Sequence, residues 1–325
     1  MYWINVKKII KNLLYHFRRK NKVLPNSILI IPGSWHSFEG TEFPSKYNYV
    51  YSEIELIKSS DLSNIIACVG NVDKSYLKKL PNLEWLQLSS HGYNHYDDKD
   101  LYAAKSVLLS RVKGVFSEPI AQFCISSFYY FKSYPLRLLN KKNPPPRYGA
   151  YGIIDNVTIT IIGLGDIGAV LAQKCKQMGW RVFGVKRNMP LDIPSYVDRL
   201  FRFELIEEAL AVSDFVVSVL PETPETIGLY DISFFKKMKR TAIFCNVGRG
   251  SAVVDDDIEL AVSSNLISGA ILDAANRCSY KHPNILYTGH TSSISDTNDT
   301  KFNQYFRSQL TLFLTGKNPL NGIVL

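Results

Sequence analysis

A strand that ends in a glycine-rich turn and continues into a helix constrains the fold of this 325-residue chain more than any other segment. Residues 157–162 read VTITII, which predicts a strand buried on both faces. Gly163, Gly165 and Gly168 follow in the spacing G-x-G-x-x-G, and 169–178 has a helical pattern of apolar residues. Because both flanks of the glycines fit, the segment predicts a dinucleotide site. The alternative is a plain strand-to-helix turn.

Each glycine of this turn has a separate expected role. Gly163 lets the chain reverse tightly, Gly165 lets backbone N–H groups approach a pyrophosphate, and Gly168 lets the helix pack on the strand. The amides that open the helix, at Asp166 and Ile167, are expected to complete the pyrophosphate cradle.

The next predicted strand, 181–185, ends in two cations. Units that bind NAD(H) carry an acidic residue about 20 residues beyond the glycines, where it accepts hydrogen bonds from the ribose hydroxyls. Lys186 and Arg187 stand there instead and would pair with a 2′-phosphate. We therefore expect NADP(H) to be preferred, with NAD(H) possible if both side chains are solvated.

Composition limits the classes of protein to which the chain can belong. Its length suits two domains, and its 46% hydrophobic and 21% charged residues are ordinary for a globular protein. The five cysteines are widely spaced without a C-x-x-C motif, which argues for a reducing compartment and against structural zinc. No apolar run reaches the ~18 residues of a membrane span. We expect a cytoplasmic protein without a metal.

The net charge of +9 is partly concentrated in the basic segment, residues 1–22, which contains lysines and arginines but no acid. Its apolar residues fall at helical spacings. This pattern fits an interfacial helix at the periphery of an anionic membrane or on an acidic partner, and it also fits a helix docked on its own protein or on another subunit. The chain has no basic-aromatic repeat that would indicate nucleic-acid binding. The segment does not fit a signal peptide either, because lysines interrupt its apolar residues.

Strands and helices alternate along the rest of the chain and predict two α/β domains. Strands are predicted at 27–31, 65–69, 83–88, 181–185, 215–220, 242–246, 268–273 and 285–288. The loop 89–96 follows a strand end, where ligands of open α/β sheets usually sit. We expect a dinucleotide-binding domain at 119–296 and a discontinuous domain made of 23–118 and 297–325.

Several motifs in one order resemble the D-2-hydroxyacid dehydrogenase family, which includes phosphoglycerate dehydrogenase and hydroxypyruvate reductase. They cover the chain from about residue 27 to its C-terminus: SHGYNH at 90–95, FSEPIA at 116–121, the glycine turn, LPETPET at 220–226, NVGRG at 246–250, GAILD at 269–273 and TGH at 288–290. The resemblance implies a doubly wound parallel sheet of Rossmann type for the nucleotide domain and a flavodoxin-like substrate domain.

The family transfers a hydride between a nicotinamide cofactor and a 2-keto or 2-hydroxy acid, and the resemblance assigns residues to this chemistry. Arg249 would be the cation that holds the substrate carboxylate, and His290 the acid or base at the reacting oxygen. The amides of Gly92 and Tyr93 would also hold the carboxylate. His91 stands where the family often has a small residue, so it would narrow the pocket or add a polar contact.

Three further residues correspond to cofactor contacts of the family. Asp273 matches the residue that orients the nicotinamide amide, and Pro221 and Thr226 belong to the loop that covers the cofactor. For each of them, packing at a loop or strand end is the alternative.

The sequence lacks the glutamate that the family places beside its histidine. The family places a glutamate, hydrogen-bonded to the histidine, five residues after the position of Asp273; here that residue is Cys278, and no acid occurs between Asp273 and His290. A carboxylate favours the imidazolium, whereas a thiol does not. We therefore expect His290 to be less often protonated near neutral pH. We also expect Cys278 to be a buried, inert residue rather than a reactive thiol.

Two functions are compatible with these residues. One is an NADP(H)-preferring 2-keto acid reductase or D-2-hydroxyacid dehydrogenase, favoured by Arg249 and His290. The other is a nucleotide-binding sensor or scaffold without dehydrogenase activity, favoured by Cys278 and the basic segment. The resemblance also implies a homodimer through the nucleotide domains. Its candidate contacts, which are alternatively core residues, are Phe123, Phe128, Tyr129, Phe131 and Tyr134.

Overall fold

The computed structural model describes residues 23–31, 47–93, 95–132, 155–319 and 322–325. The chain divides into two compact units. The central unit is Phe116–Ser295, and the split unit combines Met1–Val115 with Asp296–Leu325. The sequence predicts these divisions after residue 118 and before residue 297. The basic segment lies outside the described residues.

Short strands and helices alternate along the described residues. The strands are β1 (Ser27–Ile30), β2 (Asn48–Tyr51), β3 (Ile65–Val69), β4 (Trp85–Gln87), β5 (Leu108–Ser110), β6 (Thr158–Ile162), β7 (Arg181–Val185), β8 (Arg199–Phe201), β9 (Phe215–Ser218), β10 (Ile243–Asn246), β11 (Gly269–Leu272), β12 (Ile285–Tyr287) and β13 (Gly322–Val324). The α-helices are α1 (Lys74–Leu77), α2 (Ser117–Lys132), α3 (Asp166–Gln177), α4 (Ile206–Leu210), α5 (Ile232–Phe235), α6 (Asp255–Ser263) and α7 (Asn298–Leu314).

In the described part of the central unit, seven parallel strands form a sheet in the order β8-β7-β6-β9-β10-β11-β12. Strands β6, β9, β10 and β11 are buried along their whole length. Such burial is typical of parallel strands that helices cover on both faces. The order reverses at β6, which pairs with β7 on one side and β9 on the other. Ligands of doubly wound sheets bind outside the carboxyl ends of the strands at this kind of position.

Hydrophobic cores cover both faces of the central sheet. Along β9, Phe215 and Val217 pack into one core with residues of α2 and α3, whereas Val216 packs into the other. The side chains of a strand alternate between its two faces, so neighbouring residues of β9 serve different cores.

The aromatic residues of α2 belong mainly to the first of these cores. Phe128 is fully buried and Phe131 nearly so, and Phe123 and Tyr129 pack partly buried against the same core. The alternative that these residues are core residues therefore holds for Phe128 and Phe131, which leaves neither for a dimer contact. Tyr134 lies outside the described residues.

The described part of the split unit contains a six-stranded sheet in the order β2-β1-β3-β4-β5-β13. Its first five strands are parallel in the flavodoxin order 2-1-3-4-5, and β13 pairs antiparallel with β5. Helix α7 returns to this sheet, where Phe306 and Phe313 stack on the buried Trp85. The predicted fold class, a doubly wound sheet with a second, discontinuous flavodoxin-like domain, is confirmed.

Four strands of the structure are missing from the sequence prediction. They are β2, β5, β8 and β13, each only three or four residues long. All but β5 lie at the edge of a sheet, where one neighbour pairs with the strand and the apolar alternation is short. Helix α3 begins at Asp166 rather than at the predicted residue 169, because its first turn is the end of the glycine turn and carries no apolar stripe.

Three observations bear on the expectations from composition. No helix among the described residues is long and apolar enough to cross a membrane. Those residues also contain no group of three or more side chains that could hold a metal ion. The cysteines are all free thiols, of which Cys278 is exposed and the other four are buried. The prediction that Cys278 is buried is therefore wrong.

Candidate functional site

The glycine turn connects β6 to α3 at the position where the strand order reverses. Gly163 has a φ of +103°, a left-handed conformation that favours glycine. A Cβ on Gly168 would lie 2.0 Å from the carbonyl oxygen of Gly163, so the helix packs on the strand at a distance that excludes any side chain. A Cβ on Gly165 would meet nothing within 4 Å. The space beside Gly165 is therefore open to a ligand.

Helix α3 presents its N-terminus at the same turn. Its first helical hydrogen bond runs from the N–H of Ala169 to the carbonyl of Gly165, 2.9 Å away. The amides of Ile167 and Gly168 precede this bond and are not used by the helical ladder. The Asp166 carboxylate accepts a hydrogen bond from the Ser117 hydroxyl at 2.9 Å, which ties α3 to the start of α2. The turn thus combines open space with unused donors, as an anion site requires.

A cavity of about 720 Å³ opens at this turn. Its lining residues are Ile162, Gly163, Leu164, Gly165, Val185, Lys186, Arg187, Asn188, Phe203, Glu204, Leu220, Glu225, Thr226 and Leu229. Five of the predicted cofactor residues, Gly163, Gly165, Lys186, Arg187 and Thr226, therefore share one cavity. Its volume falls within the usual range for small-molecule sites.

Two cations and two acids line this cavity. Lys186 and Arg187 follow β7 directly, and neither forms an ion pair with a described residue. Glu204 and Glu225 are the acids. A hydrogen bond from Thr223 is the main cause that lowers the pKa of Glu225, and the charge of Arg187 lowers it further. The cavity is therefore not basic overall, and its cations are concentrated at the end of β7.

The loop after β9 is held by its own threonine. Thr226 is buried, and its hydroxyl donates to the carbonyl of Pro221 at 2.8 Å and accepts from the N–H of Thr223 at 2.8 Å. Pro221 itself is exposed and does not line the cavity. The Thr226 side chain thus closes the loop on itself, which sets the shape of this wall of the cavity.

Arg249 lies in a turn after β10 that the buried Asn246 braces. The Asn246 amide donates to the carbonyls of Arg249 and Ala274, each at 2.9 Å, and its oxygen accepts from the N–H of Gly248 at 3.2 Å. The Arg249 guanidinium is half-buried and donates to the Gly248 carbonyl at 2.8 Å. Burial lowers the pKa of Arg249, and the negative charge of Glu222 opposes that shift. The side chain remains a cation, because an arginine does not lose its proton in proteins.

His290 lies in a turn after β12, which we call the histidine turn (Thr288–Ser292), and Asp273 braces it. The Asp273 carboxylate is buried and accepts from the Thr288 hydroxyl at 2.6 Å, from the N–H groups of Thr291 and Ser292 at 2.9 and 3.0 Å, and from the Ser292 hydroxyl. The N–H of His290 donates to the Asp273 carbonyl at 2.8 Å. The Asp273 carboxylate thus accepts four hydrogen bonds from the histidine turn, and the role in orienting a nicotinamide amide that the resemblance implies for it stays a prediction.

The imidazole of His290 is exposed and has no hydrogen-bond or ion-pair partner among the residues that the structure describes. Its backbone is left-handed, with a φ of +61°, a conformation that is rare for residues other than glycine. The absence of a described carboxylate partner fits the sequence departure at Cys278. Strained residues of this kind often occur at functional sites.

The exposed Cys278 lies in a segment that is attached to helix α6. The neighbouring Arg277 pairs with Asp256 and with Glu259, and Tyr280 donates a hydrogen bond to Asp255. These carboxylates are therefore engaged by their own segment, and none of them forms a hydrogen bond or an ion pair with His290. Nothing among the described residues replaces the family glutamate.

The predicted substrate loop lies in the split unit, after β4. The His91 ring nitrogen Nδ1 donates to the Val112 carbonyl at 3.1 Å, so the ring holds the loop to the segment after β5. The Ser90 hydroxyl donates to the carbonyl of Gly92 at 2.8 Å. Tyr93 stacks under a guanidinium, that of Arg111. This hydrogen bond lies within the split unit, and both roles considered for His91 at the substrate stay predictions.

Sequence reasoning missed several residues that shape these turns. Asn246 opens the NVGRG motif, and its place directly after a buried strand could have indicated a bracing role. Glu222 and Glu225 lie in the LPETPET motif, whose two glutamates are a sequence signal for negative charge at the cofactor loop. Arg111 follows a strand that was not predicted, so no signal pointed to it.

A helix that starts on a glycine turn at the reversal point of a doubly wound sheet defines the class of dinucleotide-binding α/β proteins. The chain belongs to the D-isomer specific 2-hydroxyacid dehydrogenase family. The family model for its NAD binding domain matches residues 142–292. A "Probable 2-ketogluconate reductase" from Dictyostelium discoideum is 30% identical over 246 residues, which cover 73% of this chain and 72% of that protein. A glyoxylate/hydroxypyruvate reductase B from Cronobacter sakazakii is 30% identical over 227 residues, 66% of this chain and 67% of its own length.

Solved structures share the fold of both units. A D-isomer specific 2-hydroxyacid dehydrogenase from Xanthobacter autotrophicus in complex with NADPH aligns with a TM-score of 0.75 at 22% identity, over 91% of this chain and 97% of its own. The NAD complexed form of a family member from Lactobacillus delbrueckii aligns with a TM-score of 0.72 at 18% identity, over 91% of this chain and 99% of its own. The fold accordingly accompanies either cofactor, and the choice between them rests on this chain's own residues. The chain is an oxidoreductase of the 2-hydroxyacid class.

Proposed function

We propose that the chain reduces small 2-keto acids to D-2-hydroxy acids with NADPH as the preferred hydride donor. One observation carries the cofactor preference: Lys186 and Arg187 share a cavity with the glycine turn, at the strand end where an acid selects NAD(H). Similarity to glyoxylate/hydroxypyruvate and 2-ketogluconate reductases supports the substrate class. When bound, the cofactor supplies the hydride.

The central unit has residues suited to the pyrophosphate and to the 2′-phosphate of the cofactor. The open space beside Gly165 and the amides at the start of α3 would hold the pyrophosphate. Lys186 and Arg187 would pair with the 2′-phosphate through charge-assisted hydrogen bonds. Thr226 would shape the loop over the cofactor rather than contact it, since its hydroxyl is engaged with Pro221 and Thr223.

Four residues would act on the substrate. The Arg249 guanidinium would hold the carboxylate and polarise the carbonyl oxygen, because its planar fork suits bidentate contact. As the family resemblance implies, the amides of Gly92 and Tyr93 would hold the substrate carboxylate in the split unit. His290 would deliver the proton to the oxygen as it gains negative charge. Because no described carboxylate supports the imidazolium, this last step would be the weak one.

Fluorescence titration with NADPH and NADH tests the cofactor preference. The variant in which Lys186→Gln and Arg187→Gln are combined should bind NADPH about 10- to 100-fold more weakly, because it loses hydrogen bonds between charged groups. Its affinity for NADH should change little. Arg181→Gln is the matched control, since Arg181 is an exposed cation at the opposite end of β7. Tighter binding of NADH than of NADPH by the unaltered chain would contradict the preference.

Oxidation of NADPH with glyoxylate, hydroxypyruvate and 2-ketogluconate tests the reaction itself. Turnover of at least one of them is expected, and Arg249→Gln should lower kcat/KM by about 100-fold or more, as for loss of a group that stabilises developing charge. No turnover across a wider panel of 2-keto acids would count against the reductase. Sedimentation of the same sample tests the homodimer that the family resemblance implies.

A nucleotide-binding sensor or scaffold is the second candidate, favoured by the absence of a described carboxylate partner for His290. It would bind NADPH without turnover and would associate with an acidic partner or a membrane periphery through residues 1–22. Deletion of that segment should then abolish binding to vesicles that contain anionic lipid, while NADPH binding is retained. Vesicle binding that survives the deletion would exclude this role for the segment.

A further inference from the structure

Inside the central unit, the loop after β9 packs directly against the turn after β10. A Cβ on Gly248 of that turn would lie 2.5 Å from the Leu220 carbonyl oxygen of the loop, so the two segments touch through their backbones. Glu222 lies two residues after Leu220, and Arg249 follows Gly248 directly. The packing therefore brings a loop that carries a carboxylate to the turn that holds the cation proposed to bind the substrate.

The Glu222 carboxylate is held at this contact by a hydrogen bond. The side chain is half-buried, and its Oε2 accepts from the Ser251 hydroxyl. Ser251 is itself fixed to the same loop, because its carbonyl accepts from the N–H of Gly228 at 2.8 Å. The carboxylate therefore has a defined position beside the turn of Arg249.

The charge of Glu222 acts on the Arg249 guanidinium without occupying its donors. Burial lowers the pKa of Arg249, and the negative charge of Glu222 opposes that shift. The two side chains nevertheless form no ion pair with each other. Within the described residues, the guanidinium donates from Nη1 to the Gly248 carbonyl. Its further N–H groups can therefore bind a substrate carboxylate.

This arrangement sets the charge that a substrate can carry. A substrate carboxylate bound by Arg249 would neutralise the guanidinium and leave the charge of Glu222 in place. A second negative group on the substrate would then enter a part of the central unit that is already negative. Like charges repel strongly in a half-buried site, because little water screens them. A substrate with one negative charge avoids this repulsion.

We propose that Glu222 restricts the reaction to 2-keto acids with a single negative charge. This inference rests on the proposed reductase function and refines its substrate class. The 2-keto acids in the names of two similar reductases, glyoxylate, hydroxypyruvate and 2-ketogluconate, each carry one carboxylate. Glu222 is then a specificity-determining residue that acts through its charge and not through the size of the pocket.

Steady-state oxidation of NADPH tests the proposal with two substrates of similar size and different charge. Oxaloacetate carries two carboxylates, and 2-ketosuccinamate has a neutral amide in place of the second one. The unaltered chain should show the higher kcat/KM for the amide. Glu222→Gln should raise kcat/KM for oxaloacetate relative to the amide by about tenfold, because it removes a like charge from the site. A preference of the unaltered chain for oxaloacetate would overturn the proposal.

Two further variants separate charge from a merely structural role. Glu225→Gln removes the other carboxylate of the same loop, at the cofactor cavity, and should leave the ratio of the two kcat/KM values unchanged at saturating NADPH. An equal change of the ratio in both glutamine variants would overturn the proposal. Equal losses with both substrates in Glu222→Gln would overturn it too, since Glu222 would then only tie the loop to the turn. If that variant fails to fold, Glu222→Asp keeps the charge and must keep the preference for the amide.

Inactivity toward every 2-keto acid would be a failure of the proposed function and not of this inference. Binding of malonate and malonamate to the NADP⁺-loaded protein, followed by thermal shift, then provides the test. The unaltered protein should bind malonamate, which has one charge, about tenfold more tightly than malonate, which has two. Glu222→Gln should remove most of this difference. Equal affinities of the unaltered protein for the two anions would overturn the proposal.

Discussion

Two turns at the carboxyl edge of the same parallel sheet are held by opposite means. The glycine turn after β6 keeps its shape because Gly168 has no side chain to separate helix from strand. The histidine turn after β12 keeps its shape because one buried carboxylate, that of Asp273, collects the donors of Thr288, Thr291 and Ser292. The glycine turn thus depends on the absence of a side chain at Gly168, and the histidine turn depends on hydrogen bonds to the Asp273 carboxylate.

At the candidate site, the residues that fix the fold of a turn differ from those expected to support its acid–base chemistry. The glycine turn cannot accept a side chain at Gly168 without moving backbone, so a glycine is required at that position of the sequence. The histidine turn is braced by Asp273, whereas the acid expected to support His290 belongs to position 278. Cys278 at that position would therefore leave the fold of the turn intact and remove the acid–base support that we expect for His290.

The largest expected effect is on the glycine turn. In Gly168→Ala the new Cβ would lie 2.0 Å from the Gly163 carbonyl oxygen, a distance that forces the helix away from the strand. The free energy of unfolding should fall by about 3 kcal/mol, as for a strongly overpacked core position. Urea unfolding followed by tryptophan fluorescence measures it. A loss below about 0.5 kcal/mol would show that the helix moves freely on the sheet.

Gly165→Ala is the matched control within the same turn. Its Cβ would meet nothing within 4 Å, and Gly165 does not need a left-handed backbone. Stability should therefore change by less than about 0.5 kcal/mol. The methyl group would occupy the space proposed for the pyrophosphate, so the Kd for NADPH should rise. Unchanged NADPH affinity would place the phosphates elsewhere.

The next effect should fall on the histidine turn. Asp273→Asn replaces a carboxylate that accepts four hydrogen bonds with an amide that turns one acceptor into a donor. The free energy of unfolding should fall by about 2 kcal/mol, because buried donors lose their partners. Thermal unfolding measures the loss, and Asp192→Asn, at an exposed position, is the control. Unchanged stability together with lower NADPH affinity would support the predicted cofactor role of Asp273 instead.

The sequence predicts the parts of the molecule that depend on local pattern. The spacing of three glycines after an apolar run located β6, the turn and α3, and the alternation of strands located both sheets. Parallel strands buried on both faces appear in a sequence as continuous apolar runs, and these predictions rest on such runs. The edge strands β2, β8 and β13 are too short for such a pattern.

Roles that depend on distant partners could not be predicted. The Asp273 carboxylate accepts hydrogen bonds from residues 15 to 19 positions later in the chain, and no local sequence pattern indicates these contacts. The exposure of Cys278 follows from the attachment of Arg277 to helix α6, which is also a tertiary feature. Arg111 lies after a strand of only three residues.

Cys278→Glu tests whether the fold of the histidine turn and the acid–base support of His290 depend on different residues. If the histidine turn is intact and lacks only its acid, the variant should raise kcat for NADPH-dependent reduction by about tenfold, at the low end of what acid–base assistance supplies. Cys278→Gln has a similar size without the charge and should give no gain. Equal rates for the glutamate and glutamine variants would mean that residue 278 does not reach His290.

The smallest effect concerns the acids of the cofactor cavity. Glu225 lowers the positive charge that Arg187 offers to a 2′-phosphate, so Glu225→Gln should raise the affinity for NADPH by about threefold without changing that for NADH. The pKa of Glu225 is lowered, chiefly by the Thr223 hydrogen bond, so the carboxylate stays ionised at neutral pH. The gain should therefore be constant between about pH 6 and 8. Glu204→Gln, at the other cavity acid, is the control, and an equal gain there would show that only the net charge of the cavity matters and not the effect of Glu225 on the charge of Arg187.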